Sequence, residues 1–358
     1  MLTTETIWKK INEDALVIAE LGKAYIQTQE EQPWSAYLDN AKKLIAAARE
    51  AGADVVKFQT HVVDDEQLDV PITAPHFSLD RHAWVQRLTE SSPIVFWREI
   101  KRYCDELDIA FFSTPMSRKA AQLLDTVEVP LWKVASSDCL DFVLLDYLAA
   151  TGKPIILSSG MSTVDELDQS VAFLKKRTDR IALLHCVSKY PCPPEELYLD
   201  TIDFFAKRYR IPVGFSDHSL GYQAAVAAVG KGARIIEKHF TLDRSLWGSD
   251  HKVSMLPEEF AAMVQHISSR THISPESFGK GIKELDEEES MFRPVFRKSL
   301  VAGQDMLTGT TITKDMLYAM RPQQHAAGLP SEAYEHVLGK RVARDVRRYE
   351  PIIEELFI

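Results

Sequence analysis

Two histidines, His218 in "GFSDHSLG" and His239 in "IIEKHF", each follow a short apolar run, and an Ala- and Val-rich stretch of helical spacing separates them. Strand, helix, strand in that order sets both imidazoles at the carboxyl ends of neighbouring parallel strands, where together they are candidates to hold a divalent ion. The chain has 11 histidines, so one solvent-facing and one core-satisfied imidazole is the plain alternative. Position separates this pair from the rest, because Asp217, Glu237 and Lys238 crowd the same rim.

Three lysines interrupt apolar runs: Lys57 in "VVKFQ", Lys133 in "LWKVAS" and Lys238 in "IIEKHF". A buried ammonium is costly unless an anion meets it. With hydroxyls at the ends of the same runs, among them Ser113, Ser136 and Ser158, the lysines describe a pocket for phosphate and carboxylate groups. A Schiff-base role for Lys57 or Lys133 is the rival reading. Glu20 ends the first apolar run and could serve as an acid–base group or as the ion-pair partner of a rim lysine. Gln59, Ser188 and Tyr190 fall at further run ends.

Such a rim needs a scaffold that delivers many strand ends to one place. Apolar runs at 16–21, 54–59, 110–114, 131–135, 154–158, 181–187, 212–216 and 234–239 read as strands. Helical patterns follow them at 35–51, 94–107, 117–126, 142–150, 164–176, 199–209, 220–230 and 257–269. Eight alternations of this kind, with strands apolar on both faces, predict an α/β fold of the (β/α)8 TIM-barrel type. A doubly wound sheet would more often carry a Gly-rich first turn, and none follows the first run. Residues 60–93, with three histidines and three prolines, are too long for a plain βα loop and are expected to form a lid or binding wall. Residues 1–270 are thus assigned to the barrel, the acidic stretch 271–294 to a linker with room for one helix and a solvated charged face, and 295–358 to a small β-rich domain. About 60 residues is marginal for independent stability, so that domain should lean on another surface, in its own chain or a partner's.

The 358 residues are 45% hydrophobic with a net charge of −10, which excludes an electrostatic case for nucleic acid or an anionic membrane. No apolar run is long enough to span a bilayer. Cys104, Cys139, Cys186 and Cys192 form no C-x-x-C pair, and reduced thiols in a cytoplasmic protein are expected, with Cys186 in the core and Cys192 in a loop between two prolines where it could be exposed.

The blocks "AELG", "AGADVVKFQT", "FFSTP", "WKVASSD", "TGKPIILSSGMST", "LLHCVSKYPCPPEE", "PVGFSDHSLG", "IIEKHFTLDR" and "YAMRP" resemble, in order and over nearly the whole chain, the sialic acid synthase family of nonulosonate synthases. The resemblance implies a TIM barrel followed by an antifreeze-like (SAF, β-clip) domain, swapped in a homodimer over the partner's active site. It implies condensation of phosphoenolpyruvate with an N-acyl aminosugar aldehyde, N-acetylmannosamine or a diacetamido hexose, with release of phosphate. Related octulosonate or heptulosonate synthases and a non-catalytic sugar-binding member are the alternatives. By motif, His218 and His239 match ligands of a divalent metal (manganese first, with magnesium or cobalt as options). Glu20 matches the catalytic acid, and Lys57, Lys133, Ser136 and Ser158 match the groups that hold phosphoenolpyruvate. Gln59, Tyr190, Asp250 and the position of Ser188 belong to the acceptor side, and Arg321 of "MRP" matches an arginine that reaches the N-acyl group across the dimer. Three blocks depart from the family. "KAYIQTQEEQPW" replaces an Asn-His-Asn-Gly turn after Gly22, Ser188 stands where Asn is common, and "RPQQHAAGLP" replaces a shorter small-domain turn. The first two lie on the acceptor side, so a divergent sugar is expected.

Overall fold

The computed structural model describes residues 2–72 and 80–358. Eight parallel strands form one sheet: β1 Leu16–Gly22, β2 Val55–Thr60, β3 Ala110–Pro115, β4 Trp132–Val134, β5 Ile155–Ser158, β6 Ile181–Cys186, β7 Val213–Asp217 and β8 Ile235–His239. The order is β3-β2-β1-β8-β7-β6-β5-β4, so β1 pairs with both β2 and β8. The end strands β3 and β4 lie against each other, and the sheet curls into a barrel. Almost every strand residue is buried, as the apolar runs require.

The helices form where spacing and caps agree. Ile94–Glu106 buries Phe96, Trp97, Ile100 and Cys104 along one stripe. Thr163 and Glu166 close a capping box at the start of Val164–Lys175, and Asp141 caps Phe142–Ala150 through the Leu144 amide. Ends differ from the sequence-based expectation by a residue or two, except that Gln223–Gly230 starts three residues later than expected. A helix at Thr4–Glu13, absent from that expectation, packs Ile7 and Ile11 under the barrel.

Within 60–93 two helices appear, Val63–Glu66 and Arg81–Ser91; the rest of the expected lid, residues 73–79, lies outside the described residues.

The C-terminal segment contains β9 Ser299–Ala302 antiparallel to β10 Leu317–Met320. Elsewhere in this segment the pairing is by isolated bridges, such as Thr311 with Arg341 and Met306 with Val346. This unit leans on its own barrel. Arg118 donates to the carbonyls of Lys314 at 2.6 Å and Leu317 at 2.8 Å, and the Arg321 amide donates to the Glu66 carbonyl at 2.9 Å. Lys298, buried, sits 2.9 Å from Asp138 and 2.7 Å from Asp141. Breaking a buried pair strands a charge, so Lys298→Met should lower the unfolding free energy by about 3 kcal/mol in urea titrations. A change within error would mean that water reaches Asp141 and screens the pair.

The acidic stretch is not a solvated linker throughout. Helix Glu287–Phe296 lies over the barrel mouth with Glu289 fully buried.

Candidate active site

A cavity of about 400 Å³ opens at the carboxyl ends of the strands. Side chains along a strand alternate, so only every second residue near an end faces it. From β1 comes Glu20, from β2 Lys57 and Gln59, from β4 Lys133, from β5 Ser158, from β7 Ser216 and from β8 Glu237 and His239. Loops add Ser136, Ser188, Tyr190, His218 and Asp250.

Charges on the floor alternate. Lys57 Nζ lies 2.8 Å from Glu20 and 3.4 Å from Glu237, and Lys133 Nζ lies 3.9 Å from the other Glu237 oxygen. Lys133 also donates to Ser158 Oγ at 2.5 Å, and Gln59 donates to Glu20 at 2.9 Å. Burial works to raise the pKa of Glu237, but Lys133 and Lys57 overcome it and hold the carboxyl at about 2. Burial dominates at Glu20, whose pKa is raised despite Lys57, and at Lys133, whose pKa is lowered. Gly22, at φ +47°, keeps this corner open: a Cβ there would stand 3.1 Å from Glu20 and 3.3 Å from Gln59.

The two imidazoles meet across the mouth, with ring centroids 5.6 Å apart. His218 Nδ1 lies 2.8 Å from the Val187 carbonyl, so this nitrogen carries a proton and Nε2 is the one left for a ligand; burial works to lower the pKa of this ring, but Cys186 and the Val187 carbonyl raise it. Burial lowers the His239 pKa to about 4, against the pull of Asp250, which keeps that ring neutral. Two imidazoles side by side suit a divalent ion of the manganese class. Among the described residues no three or more His, Cys, Asp or Glu converge as a ligand group, so further positions would fall to substrate and water. Tyr190, 54% exposed at the rim, packs its ring 4.0 Å from that of His218.

Several sequence-based expectations change. Ser113 does not face the cavity: it is fully buried with its hydroxyl 2.7 Å from Thr60, and the next residue, Thr114, lines the site 3.3 Å from Lys57. Lys238 turns away from the other two lysines to pair with Asp217 at 2.8 Å and the Ser219 carbonyl at 2.6 Å. Arg321 is 1% exposed and bound to Asp138, so it lines no part of this cavity. Cys192 is buried rather than exposed, and Cys186, expected in the core, borders the cavity 3.9 Å from His218. Nothing in the amino-acid pattern marks Phe292 and Phe296, which reach the mouth from the Glu287–Phe296 helix, or Lys23, which lines the cavity from the divergent stretch after Gly22. No helix among the described residues is long and apolar enough to cross a membrane.

The chain is similar to known proteins over nearly its whole length. Residues 44–277 match the NeuB family and residues 297–356 match the SAF domain. Human N-acetylneuraminate-9-phosphate synthase is 32% identical over 355 residues, covering 98% of this chain and 94% of that protein. The N,N'-diacetyllegionaminic acid synthase of Campylobacter jejuni is 32% identical over 326 residues, covering 88% and 95%. The crystal structure of the spore coat polysaccharide biosynthesis protein spsE of Bacillus subtilis superimposes with a TM-score of 0.77 at 29% identity, covering 96% of this chain and 95% of that one. The chain therefore belongs to the NeuB family, the family of nonulosonic acid synthases, and carries a SAF domain after its barrel.

Proposed function

We propose that this chain condenses phosphoenolpyruvate with an N-acyl aminosugar aldehyde to give a nonulosonic acid and inorganic phosphate. The observation that carries the reading is one cavity with buried ammonium groups on its floor and two imidazoles at its mouth. An anion and an aldehyde can meet there at bonding distance.

Lys57 and Lys133, with Thr114, Ser136 and Ser158, bind the carboxylate and phosphate of the enol phosphate. Gln59, Tyr190 and Asp250 bind hydroxyls of the acceptor. The methylene carbon of the enol phosphate attacks the aldehyde carbon, and the aldehyde oxygen takes a proton to become a hydroxyl. Water adds at the enol carbon, and phosphate departs by carbon–oxygen cleavage. Glu20, whose pKa burial raises against the pull of Lys57 2.8 Å away, is placed to exchange protons with the reacting oxygen or the water. A divalent ion held by His218 and His239 would supply polarisation of the aldehyde. The lysines offset anionic charge throughout, so positioning and electrostatics carry the acceleration.

The relatives act on different sugars, and the residues after Gly22 leave the acceptor to experiment. Phosphate release should be measured with phosphoenolpyruvate, manganese and a panel of N-acetylmannosamine, its 6-phosphate, diacetamido hexoses, arabinose 5-phosphate and erythrose 4-phosphate. Release with an N-acyl aminosugar is expected. Release only with arabinose or erythrose phosphates would move the chain to the shorter ulosonate chemistry, and none with any sugar would leave a binding protein.

A further inference from the structure

Helix Glu287–Phe296 begins in the run "KELDEEES", whose composition promises contact with water, yet Glu289 is fully buried. One of its oxygens accepts from the Ser188 amide at 2.8 Å and from the Met161 amide at 3.2 Å. The other lies 2.8 Å from Lys283 Nζ. The same helix grips the Met161 carbonyl, to which Arg293 donates at 2.9 Å and the adjoining Arg297 at 3.0 Å. Just before the helix, Asp286 pairs with Lys189 at 2.6 Å. The loops after β5 and β6 are thus fastened to a single element. Met161 has φ +53°, a conformation that costs a non-glycine residue about 1 kcal/mol and persists only where its surroundings hold it.

These loops carry cavity groups: Ser158 lies at the root of the first, Ser188 and Tyr190 on the second. They meet without slack at Gly160, where a Cβ would fall 2.3 Å from Ser188 Oγ and 2.6 Å from Ser136 Oγ. A helix that merely covered the cavity would be better served by an apolar residue than by a buried carboxylate. A carboxylate aimed at two backbone amides fixes where those amides are.

We propose that Glu289 is a positioning residue: it fixes the loops after β5 and β6 at the separation at which Ser136, Ser158 and Ser188 face one bound anion and Tyr190 packs on His218. The proposal rests on the synthase reading only for the identity of that anion. Lys283 neutralises Glu289 and has no further part.

Two double variants separate the amide clamp from the ion pair. Glu289→Gln with Lys283→Met keeps an oxygen for both amides and removes both charges. Glu289→Ala with Lys283→Met removes clamp and charges together. In substrate-free protein, hydrogen exchange at Met161 and Ser188 should match wild type in the first variant and quicken by about tenfold or more in the second. Calorimetry with phosphoenolpyruvate should give a Kd within about threefold of wild type in the first and about tenfold weaker in the second. Where wild type turns over, kcat/KM should fall about a hundredfold only in the alanine variant. Equal exchange and equal phosphoenolpyruvate affinity in the two variants would overturn the proposal. Because exchange is read without substrate, a wild-type protein that makes no product defeats the synthase reading and leaves this test intact.

Discussion

Replacing His218 with alanine should lower phosphate release by roughly a thousandfold or more, the loss that follows when several kcal/mol of transition-state charge stabilisation disappear. Metal content measured on desalted protein should fall with it. The ligand count makes the effect large: the described residues supply two imidazoles and no third converging ligand, so removing one leaves a single nitrogen. His239→Ala should behave alike for the same reason. Folding should survive, because His218 stands at the mouth and its one hydrogen bond to protein oxygen, to Val187, is worth about 1 kcal/mol. Chelator-stripped wild type should regain activity with manganese, magnesium or cobalt, whereas the stripped His218→Ala protein should not. Wild-type rates in that stripped variant would remove the ion from the account.

The barrel is legible in the sequence because parallel strands buried on both faces leave continuous apolar runs, and helices with caps such as Thr163 and Glu166 announce their ends. Much of the rim is legible for the same reason, since residues that end such runs must stand at the mouth. What a run does not reveal is parity. Ser113 and Thr114, or Lys238 and His239, differ by one position, and one position decides whether a side chain faces the cavity or the surrounding helices. Inside a run without polar alternation nothing marks the inward residue. Contacts between distant segments are hidden more deeply. Lys298 reads as an ordinary small-domain cation, and Arg321 as an arginine of the acceptor side, until Asp138, more than a hundred residues earlier, is seen beneath both. Glu289 is one acid among several in "DEEES", and only the approach of the Ser188 and Met161 amides distinguishes it.

Lys133→Met should reduce kcat/KM for phosphoenolpyruvate by a few hundredfold, about the loss seen when one preorganised charge-stabilising donor is removed from an active site. It should also destabilise the protein, and the two effects have separate causes. Lys133 is buried between Ser158 and Glu237, in a chain of charges that runs Glu20, Lys57, Glu237, Lys133 and sums to zero. Deleting the last member leaves Glu237 with Lys57 and the Ser216 hydroxyl at 3.0 Å, an excess negative charge on the cavity floor. That excess costs stability by about 2 kcal/mol and repels an incoming anion. Adding Glu237→Gln cancels it. The double variant should therefore recover most of the lost unfolding free energy while phosphate release stays low, because the ammonium that met the substrate anion is still missing. If rate returned along with stability, Lys133 would serve only to neutralise Glu237, and the anion would have to be held from Lys57 and the hydroxyls alone. A Schiff-base lysine would leave a different trace: borohydride in the presence of pyruvate would add mass to the wild type at Lys133. None is expected here, since the ammonium is already engaged by Ser158 and the Val134 carbonyl at 3.2 Å, and substrate meets it as a charge.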